Sequence, residues 1–238
     1  MRRSLLLLVA CSLGGPIASA HACAGVGAAR AGTSWSAKIA VPATEAHALP
    51  AAGPVVARLA TELAEPGRAP VRVRVLSTRS VGAACWLRVV LPMRPNGSTG
   101  WIAADRTMLF ATRWRLALDR AARRLTVWHD GHEVRRFTAD VGAPATPTPA
   151  GRFSILWARR MVSNRALGPW ILPISATSDV LRRFAGGPGR IALHGWSSGG
   201  PFGRASSHGC ARLADGSISW LVGTIGEARI SGVPVDIT

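Results

Sequence analysis

The strongest constraint on the fold is a series of short runs that alternate apolar and polar residues and are separated by turn residues. Residues 71–76 alternate apolar and charged side chains, a period of two that is typical of a strand with one buried face. Residues 86–91 and 100–102 are two further β-like runs, and the turn at 92–99 between them contains Asn96-Gly97. Asn-Gly between apolar runs is a strong hairpin signal. The N-terminal half therefore predicts a small, mostly β domain.

A second β series begins near residue 114. The predicted strands cover residues 114–118, 125–129, 133–141 and 152–157. The segment 142–151 holds three prolines, and it is predicted to be a loop because proline cannot donate to a strand ladder. The C-terminal half thus also predicts a mostly β fold.

Two segments show helical spacing. Residues 55–63 carry apolar side chains at 55, 56, 59 and 63, which predicts a helix in the first domain. Asp215 is placed to cap a second helix near the C-terminus. The apolar residues at helical spacing after it are Ile218, Leu221, Val222 and Ile225. Residues 233–237 are predicted to close the fold as an edge strand.

Composition narrows the class of protein. The chain has 238 residues, 48% of them hydrophobic, which excludes a disordered basic tail and allows a buried core. The formal net charge is +17, but the arginines are spread along the chain without a nucleic-acid-binding motif, so a nucleic-acid partner is disfavoured. The charge instead predicts a basic surface that faces an anionic environment.

The N-terminus predicts export. Residues 1–20 combine Arg2 and Arg3, a short apolar run and the small-residue site Ala18-Ser19-Ala20, which is the pattern of a signal peptide. The apolar run is too short for a transmembrane helix. Residues 8–11 resemble a lipobox, so a lipid anchor in the envelope is the less favoured alternative.

Cleavage after Ala20 leaves three cysteines, an odd number in an oxidising compartment. Of these three cysteines, Cys210 lies in the sequence context that best suits a free thiol. Cys23 lies in residues 21–32, which have no apolar period and are predicted to be a flexible tail. We therefore do not predict a Cys23–Cys85 disulfide.

The most informative stretch is 191–213, where an apolar strand ends in His194 and a Gly/Ser-rich loop leads to Ser207-His208-Gly209-Cys210. A thiol with an ordinary pKa of about 8.5 needs a base to attack a carbonyl near neutral pH, and either histidine can supply it. A metal site at these residues lacks a fourth ligand. An inert buried cysteine is the other alternative.

These residues resemble the signature of the L,D-transpeptidases, which cross-link bacterial peptidoglycan. Residues 207–212 read Ser-His-Gly-Cys-Ala-Arg, residues 189–195 resemble the family's strand into its histidine, and residues 141–153 resemble its PTPxGxF loop. The likeness covers about 113–238. Upstream, residues 86–101 are similar to the SH3-like module that precedes this domain in actinobacterial members.

The resemblance implies a role for each residue. Cys210 is the nucleophile, and His194 is the general base and acid, oriented by the main-chain carbonyl of Gly195. The N–H groups of Gly209 and Cys210 form an oxyanion hole, and His208 supports the pocket. The candidate substrate-binding residues are Arg212, Ser207 and Trp196. No metal or organic cofactor is implied.

Two of these residues carry a qualification. Arg212 suits a substrate carboxylate, with an ion pair inside the fold as the alternative. Trp196 stands where the family often has Thr, at a position that shapes the acceptor pocket.

The sequence thus predicts a signal peptide (1–20), a tail (21–32), an SH3-like domain (33–110) and an L,D-transpeptidase-type catalytic β-sandwich with a short C-terminal helix (113–238). The predicted reaction is thioester acyl transfer from a tetrapeptide stem to an amine acceptor. The expected partners are peptidoglycan stem peptides and anionic wall polymers in the cell envelope.

Other functions remain open at this point. They are an L,D-carboxypeptidase, another cysteine-dependent acyl-transfer enzyme or hydrolase of the wall, and a non-catalytic wall-binding protein. A sortase also has His before Cys and Arg after it, but its longer His–Cys separation and TLxTC-like approach are not found here. The acceptor and the oligomeric state are not predicted.

Overall fold

A computed structural model describes residues 23–26, 32–63, 70–162, 166–198 and 200–238. The predicted signal peptide and most of the predicted tail lie outside the described residues. Residues 23–26 form one helical turn, where the sequence predicted an unstructured tail. Along the described chain, no helix has the length and apolar character needed to cross a bilayer.

The first part of the described chain folds into a seven-stranded sheet with the order β3-β2-β6-β5-β4-β1-β7. Its strands are β1 (Ser34–Ile39), β2 (Ala43–Leu49), β3 (Ala52–Ala60), β4 (Arg72–Val81), β5 (Ala84–Val90), β6 (Thr99–Ala103) and β7 (Thr107–Thr112), with a 3₁₀ turn at Ala104–Arg106. The predicted hairpin is present as β5 and β6, which pair antiparallel with Val90 opposite Thr99. The likeness of this sheet to an SH3-like module stays a prediction.

The helix predicted over residues 55–63 is wrong, because Ala52–Ala60 form strand β3. This strand pairs antiparallel with β2, with Leu59 opposite Thr44, and Leu59 is buried in the sheet core. Spacing within a short apolar run does not separate helix from strand, and the two adjacent valines at 55 and 56 favour the strand. The pairing with β2 decided the conformation.

Cys23 and Cys85 form a disulfide, which the sequence did not predict. Cys85 is buried in β5, and Cys23 packs against the core of the first sheet. The bridge joins the helical turn at 23–26 to that core. A sequence separation of 62 residues gave no local signal for the pairing.

The second part of the described chain contains three sheets. Its strands are β8 (Trp114–Asp119), β9 (Arg124–His129), β10 (His132–Thr138), β11 (Val141–Gly142), β12 (Gly151–Ser154), β13 (Arg159–Arg160), β14 (Trp170–Thr177), β15 (Arg190–Gly195), β16 (Ala205–Ser207), β17 (Ala211–Leu213) and β18 (Pro234–Ile237). The sheet orders are β10-β9-β8-β18-β12, β13-β14-β15-β17 and β11-β16. Two helices follow β17, namely α1 (Asp215–Ile225) and α2 (Glu227–Ile230).

The five-stranded and four-stranded sheets share one hydrophobic core. Leu116 and Val127 of the first sheet and Ile174 and Leu193 of the second belong to a single buried cluster, to which α1 adds its apolar face. Burying these faces against each other supplies the main stabilisation of such a sandwich. A second cluster forms the core of the seven-stranded sheet. The predicted fold class, mostly β with a short C-terminal helix, is confirmed.

The C-terminal elements differ from the prediction in two details. Helix α1 buries the four expected apolar residues, but its N-cap position is Ala214, and Asp215 lies in the first turn without capping. Strand β18 is not an edge strand, because it lies between β8 and β12. Pro234 is tolerated there since it is the first residue of the strand.

Candidate active site

The candidate base lies on one of two neighbouring parallel strands, and the candidate nucleophile immediately precedes the other. β15 pairs with β17, with His194 opposite Arg212. The same register places Cys210 beside Ala192, whose backbone forms a hydrogen bond with the thiol that lowers its pKa. His194 and Arg212 are register partners, so their side chains lie on one side of the sheet, and Cys210 stands two residues before Arg212.

His194 is buried, with 4% of its surface exposed. Its Nδ1 lies 2.6 Å from the carbonyl oxygen of Gly195, so Nδ1 carries the proton and Nε2 is left to accept one. Burial lowers the pKa of His194 to about 4; Arg212 also lowers it, while the bond to Gly195 and the carboxylate of Asp215 oppose the shift. The imidazole is therefore neutral at pH 7.

Cys210 is half-buried and is the free cysteine of the described chain. Burial raises the pKa of its thiol above the ordinary value, against the opposing effects of the Ala192 backbone bond and the Arg212 charge. A raised pKa keeps the thiol protonated at neutral pH. Attack on a carbonyl then requires a base to take the proton, which a neutral imidazole can do.

The segment before Cys210 is held by Ser207. The Ser207 hydroxyl donates to the carbonyl oxygen of Cys210 at 2.6 Å and accepts from the N–H of Gly209 at 3.1 Å. Ser207 is 1% exposed and its hydroxyl shapes this turn, while its predicted contact with substrate stays a prediction. The Gly209 N–H donates to Ser207 in this structure, and the predicted oxyanion hole of the Gly209 and Cys210 N–H groups stays a prediction.

Arg212 and Trp196 form a stacked pair. The guanidinium carbon of Arg212 lies 3.9 Å from the centroid of the Trp196 ring, a cation–π distance. Within the described ranges Arg212 forms no ion pair, and its buried Nε has no hydrogen-bond partner. The alternative of an internal ion pair therefore finds no support there. The indole holds a cation near the thiol.

His208 faces outward rather than toward the core. Its side chain is exposed, and its ring lies 5.1 Å from the ring of Phe184 with a 31° tilt between the planes. Phe184 belongs to the loop between β14 and β15. For the metal alternative, the described residues contain no cluster of three or more His, Cys, Asp or Glu suited to an ion.

The sequence of residues 113–237 matches the YkuD family, the L,D-transpeptidase catalytic domain. The chain belongs to this family. No curated protein matches it in sequence. The matched range contains the two packed sheets, both helices and every candidate site residue, so we refer to it as the L,D-transpeptidase domain.

Solved L,D-transpeptidase structures resemble the chain at low identity. An Enterococcus faecium L,D-transpeptidase mutant is 18% identical over 52% of this chain and 49% of its own, with a TM-score of 0.41. A Mycobacterium smegmatis L,D-transpeptidase is 17% identical over 70% of this chain and 99% of its own, with a TM-score of 0.42. One from Mycobacterium tuberculosis is 16% identical over 71% and 91%, with a TM-score of 0.44. The chain thus spans about half the length of the E. faecium protein.

The L,D-transpeptidase domain also uses Thr148, to which the sequence analysis assigned no role. This residue lies in the proline-rich loop and is 1% exposed. Its hydroxyl accepts from the N–H of Gly142 and donates to the carbonyl oxygen of Gly209, both at 2.8 Å. Thr148 thereby fixes the peptide that precedes Cys210. The sequence marked the proline-rich loop, but only the fold brings Thr148 of this loop against Gly209.

Thr148→Val removes both hydrogen bonds at nearly constant shape. We expect a loss of about 2 kcal/mol or more in the free energy of unfolding, because two buried backbone groups lose their partner. Acylation of Cys210 by a β-lactam should slow roughly tenfold, because the peptide beside the thiol is displaced. Thermal melting and adduct formation followed by mass spectrometry measure the two effects.

Thr146→Val is the matched control on the same loop. The Thr146 hydroxyl donates to the Ser207 carbonyl at 3.1 Å and is only partly buried, so its loss should cost less and leave acylation close to wild type. Equal effects of the two variants would assign Thr148 a general loop-stabilising role only.

Asp215 is the second residue of the L,D-transpeptidase domain whose position was missed. Its Oδ2 accepts from the Ser197 hydroxyl at 2.5 Å, and a Cβ added at Gly195 would lie 2.6 Å from its Oδ1. The carboxylate therefore packs directly against the peptide that orients His194. It also raises the pKa of His194, against the larger effect of burial. The sequence predicted Asp215 only as a helix cap, so its contact with Gly195 was not predicted.

Proposed function

We propose that this protein is an exported L,D-transpeptidase that forms peptidoglycan cross-links by thioester acyl transfer. The observation that carries the proposal is the neutral, buried imidazole of His194 together with the free thiol of Cys210, two groups on which the charge of Arg212 acts. Membership of residues 113–237 in the L,D-transpeptidase family supports the class of reaction.

In the first half-reaction, Nε2 of His194 takes the proton of the Cys210 thiol as the sulfur attacks the peptide carbonyl after the third residue of a tetrapeptide stem. The Cys210 N–H stabilises the developing oxyanion. The C–N bond then breaks, and His194 returns the proton to the departing amine of D-Ala. The product is a thioester between Cys210 and the tripeptide stem.

In the second half-reaction, the side-chain amine of an acceptor stem attacks the thioester carbonyl. His194 takes a proton from the attacking nitrogen and delivers it to the leaving Cys210 sulfur. An amide cross-link forms and the thiol is regenerated. The same base serves both halves because it starts each of them neutral.

Arg212 is the proposed contact for a stem carboxylate. Its guanidinium is held over the Trp196 ring and has no ion-pair partner among the described residues, so its charge is available to an anionic substrate group. Trp196 is thereby a positioning partner for Arg212 as well as a candidate wall of the substrate site.

Three features support action in the cell envelope. The signal-peptide pattern at 1–20 directs export, and the Cys23–Cys85 disulfide suits an oxidising compartment. The net charge of +17 favours attraction to anionic wall polymers.

We assign residues 33–110 to an SH3-like domain that accompanies the catalytic domain at residues 113–238.

Incubation with a defined disaccharide-tetrapeptide, followed by mass spectrometry, tests the proposed function. We expect a cross-linked dimer with release of one D-Ala, and no product with Cys210→Ala. A hydrolysed tripeptide alone would make the protein an L,D-carboxypeptidase, in which water resolves the thioester. Neither product would favour a non-catalytic wall-binding protein.

A further inference from the structure

The turn between β5 and β6 reaches the catalytic domain. Residues 92–98 of this β5–β6 turn contact both ends of the β14–β15 loop, residues 178–189, which leads into the strand that ends at His194 and Gly195. No residue of the turn belongs to the family's catalytic range of 113–237. These contacts therefore come from outside the L,D-transpeptidase domain.

Asn96 holds the start of the loop. Its Nδ2 donates to the carbonyl oxygen of Thr177 at 2.6 Å, and the N–H of Thr177 donates back to its Oδ1 at 2.9 Å. The amide thus pairs with both backbone groups of the last residue of β14, as a neighbouring strand would. The same Nδ2 lies 2.8 Å from Oδ1 of Asp179.

Arg94 joins the two arms of the loop. Its Nη2 donates toward three carbonyl oxygens, those of Ser178 at 3.0 Å, Leu181 at 2.9 Å and Pro188 at 2.9 Å. The first two acceptors lie on the outgoing arm and the third on the returning arm. One cationic nitrogen therefore ties both arms together, with the added strength of a charged donor.

Backbone hydrogen bonds join the two arms of the β14–β15 loop. The N–H of Ser178 donates to the Gly189 carbonyl at 2.8 Å, and a Cβ at Gly189 would lie 2.1 Å from the Leu181 carbonyl oxygen. At the tip, Phe184 and Gly187 exchange two backbone hydrogen bonds. The base and the tip of the loop are thus each held by backbone contacts.

The tip of the loop lies beside the reactive cysteine. Phe184 is 46% exposed and its ring is 5.1 Å from that of His208, two residues before Cys210. The Phe184 ring thus lies on the surface beside the segment that carries the thiol. An exposed aromatic face at that place suits packing against a stem peptide.

We propose that Arg94 and Asn96 are positioning residues of the first domain that hold Phe184 against His208, so that this aromatic pair forms one wall of the groove for the peptide donor. The inference rests on the proposed transpeptidase function for its substrate. The positioning itself is independent of activity. The first domain then contributes to donor binding without touching the donor.

The first readout is the pair of ring proton resonances of His208, which the Phe184 ring shifts by its ring current. Phe184→Ala should remove this shift. Arg94→Met should reduce it strongly, because the three carbonyls lose their donor. Arg94→Lys should retain most of it, since an ammonium nitrogen with three donors takes the place of Nη2. Both Arg94 variants are made and measured in the full-length protein.

The second readout is the kinetics of dimer formation from the defined muropeptide. Arg94→Met and Phe184→Ala should raise the KM for the donor roughly tenfold and change kcat much less, as expected when ground-state and transition-state binding are lost together. Arg94→Lys should stay near wild type. Phe184 is exposed, so Phe184→Ala tests the groove wall without a risk to folding.

Arg88→Met is the matched control. Arg88 lies on β5 of the same domain, is exposed, and contacts Thr99 within its own sheet at 3.3–3.4 Å. It should change neither the His208 resonances nor KM.

Unchanged His208 resonances in Arg94→Met would overturn the positioning role, as would identical behaviour of the Met and Lys variants. A variant that loses the ring-current shift of His208 but keeps the wild-type KM would contradict the assignment of Phe184 to the groove wall. Absence of any product from the wild type would defeat the proposed function instead, while the resonances still decide the positioning role.

Discussion

Cys210→Ala is expected to lose covalent labelling by a carbapenem completely. The wild-type protein should gain one adduct mass, because Cys210 is the free thiol of the described chain and the other two described cysteines form a disulfide. Cross-linking of the muropeptide should fall by about 10³-fold or more, as in other enzymes that lose their nucleophile. Stability should change by about 1 kcal/mol or less, since the side chain is half-buried and small.

The control is the double variant Cys23→Ala with Cys85→Ala. It should keep the adduct and lose about 2–4 kcal/mol of stability with its disulfide. An adduct that persists in Cys210→Ala, or that maps to Cys85 in the wild type, would contradict the assignment of the nucleophile. Retained cross-linking in Cys210→Ala would do the same.

His194→Gln is expected to slow acylation of Cys210 by about 10²–10⁴-fold, the usual contribution of a general base. In the wild type, acylation should hold its rate from pH 8 to about pH 5 and fall only near pH 4. The reason is that burial lowers the pKa of His194 to about 4, so the base stays neutral far below the ordinary range. Stopped-flow acylation against pH measures both the loss and the position of the acid limb.

His208→Gln is the control for this prediction. It should leave the acid limb in place, because His208 is exposed and its ring lies against that of Phe184. A small effect of His194→Gln together with a large effect of His208→Gln would transfer the role of base to His208. An acid limb near pH 6.5 would mean that burial does not control His194.

The same shift in pKa couples His194 to stability. The imidazole protonates near pH 6.5 in the unfolded chain and near pH 4 in the folded chain, so between these values the unfolded state binds more protons. Stability is therefore full above pH 6.5 and declines as the pH falls toward 4.

Local patterns in the sequence were enough for much of the fold. The Asn96-Gly97 turn between two apolar runs predicted the β5–β6 hairpin, and the spacing of Ile218, Leu221, Val222 and Ile225 predicted α1, because each signal is local in the chain. Residues 55–63 failed because their spacing fitted both a helix and a strand, and pairing with β2 decided between them. The inner position of β18 was equally nonlocal, since it depends on contacts with β8 and β12.

In the candidate site too, local sequence predicted some features and contacts between distant residues decided the others. The signature drew attention to His194 and Cys210 because both lie in one stretch of the chain. It did not predict the hydrogen bonds of Ser207 with Gly209 and Cys210, since a residue type does not reveal which neighbours it contacts. Thr148 and Asp215 were missed because their contacts to this stretch come from other loops and elements.

The sequence by itself determined the family of the chain, its mostly β character and the thiol–imidazole chemistry that it offers, because these depend on residue type and short-range spacing. Only the tertiary structure decided the disulfide, the partners of the Ser207 turn, the neutral state of His194 and the contact of Arg94 and Asn96 with the β14–β15 loop. Each of these depends on burial or on hydrogen bonds between residues far apart in the chain, and these arise only when the elements pack.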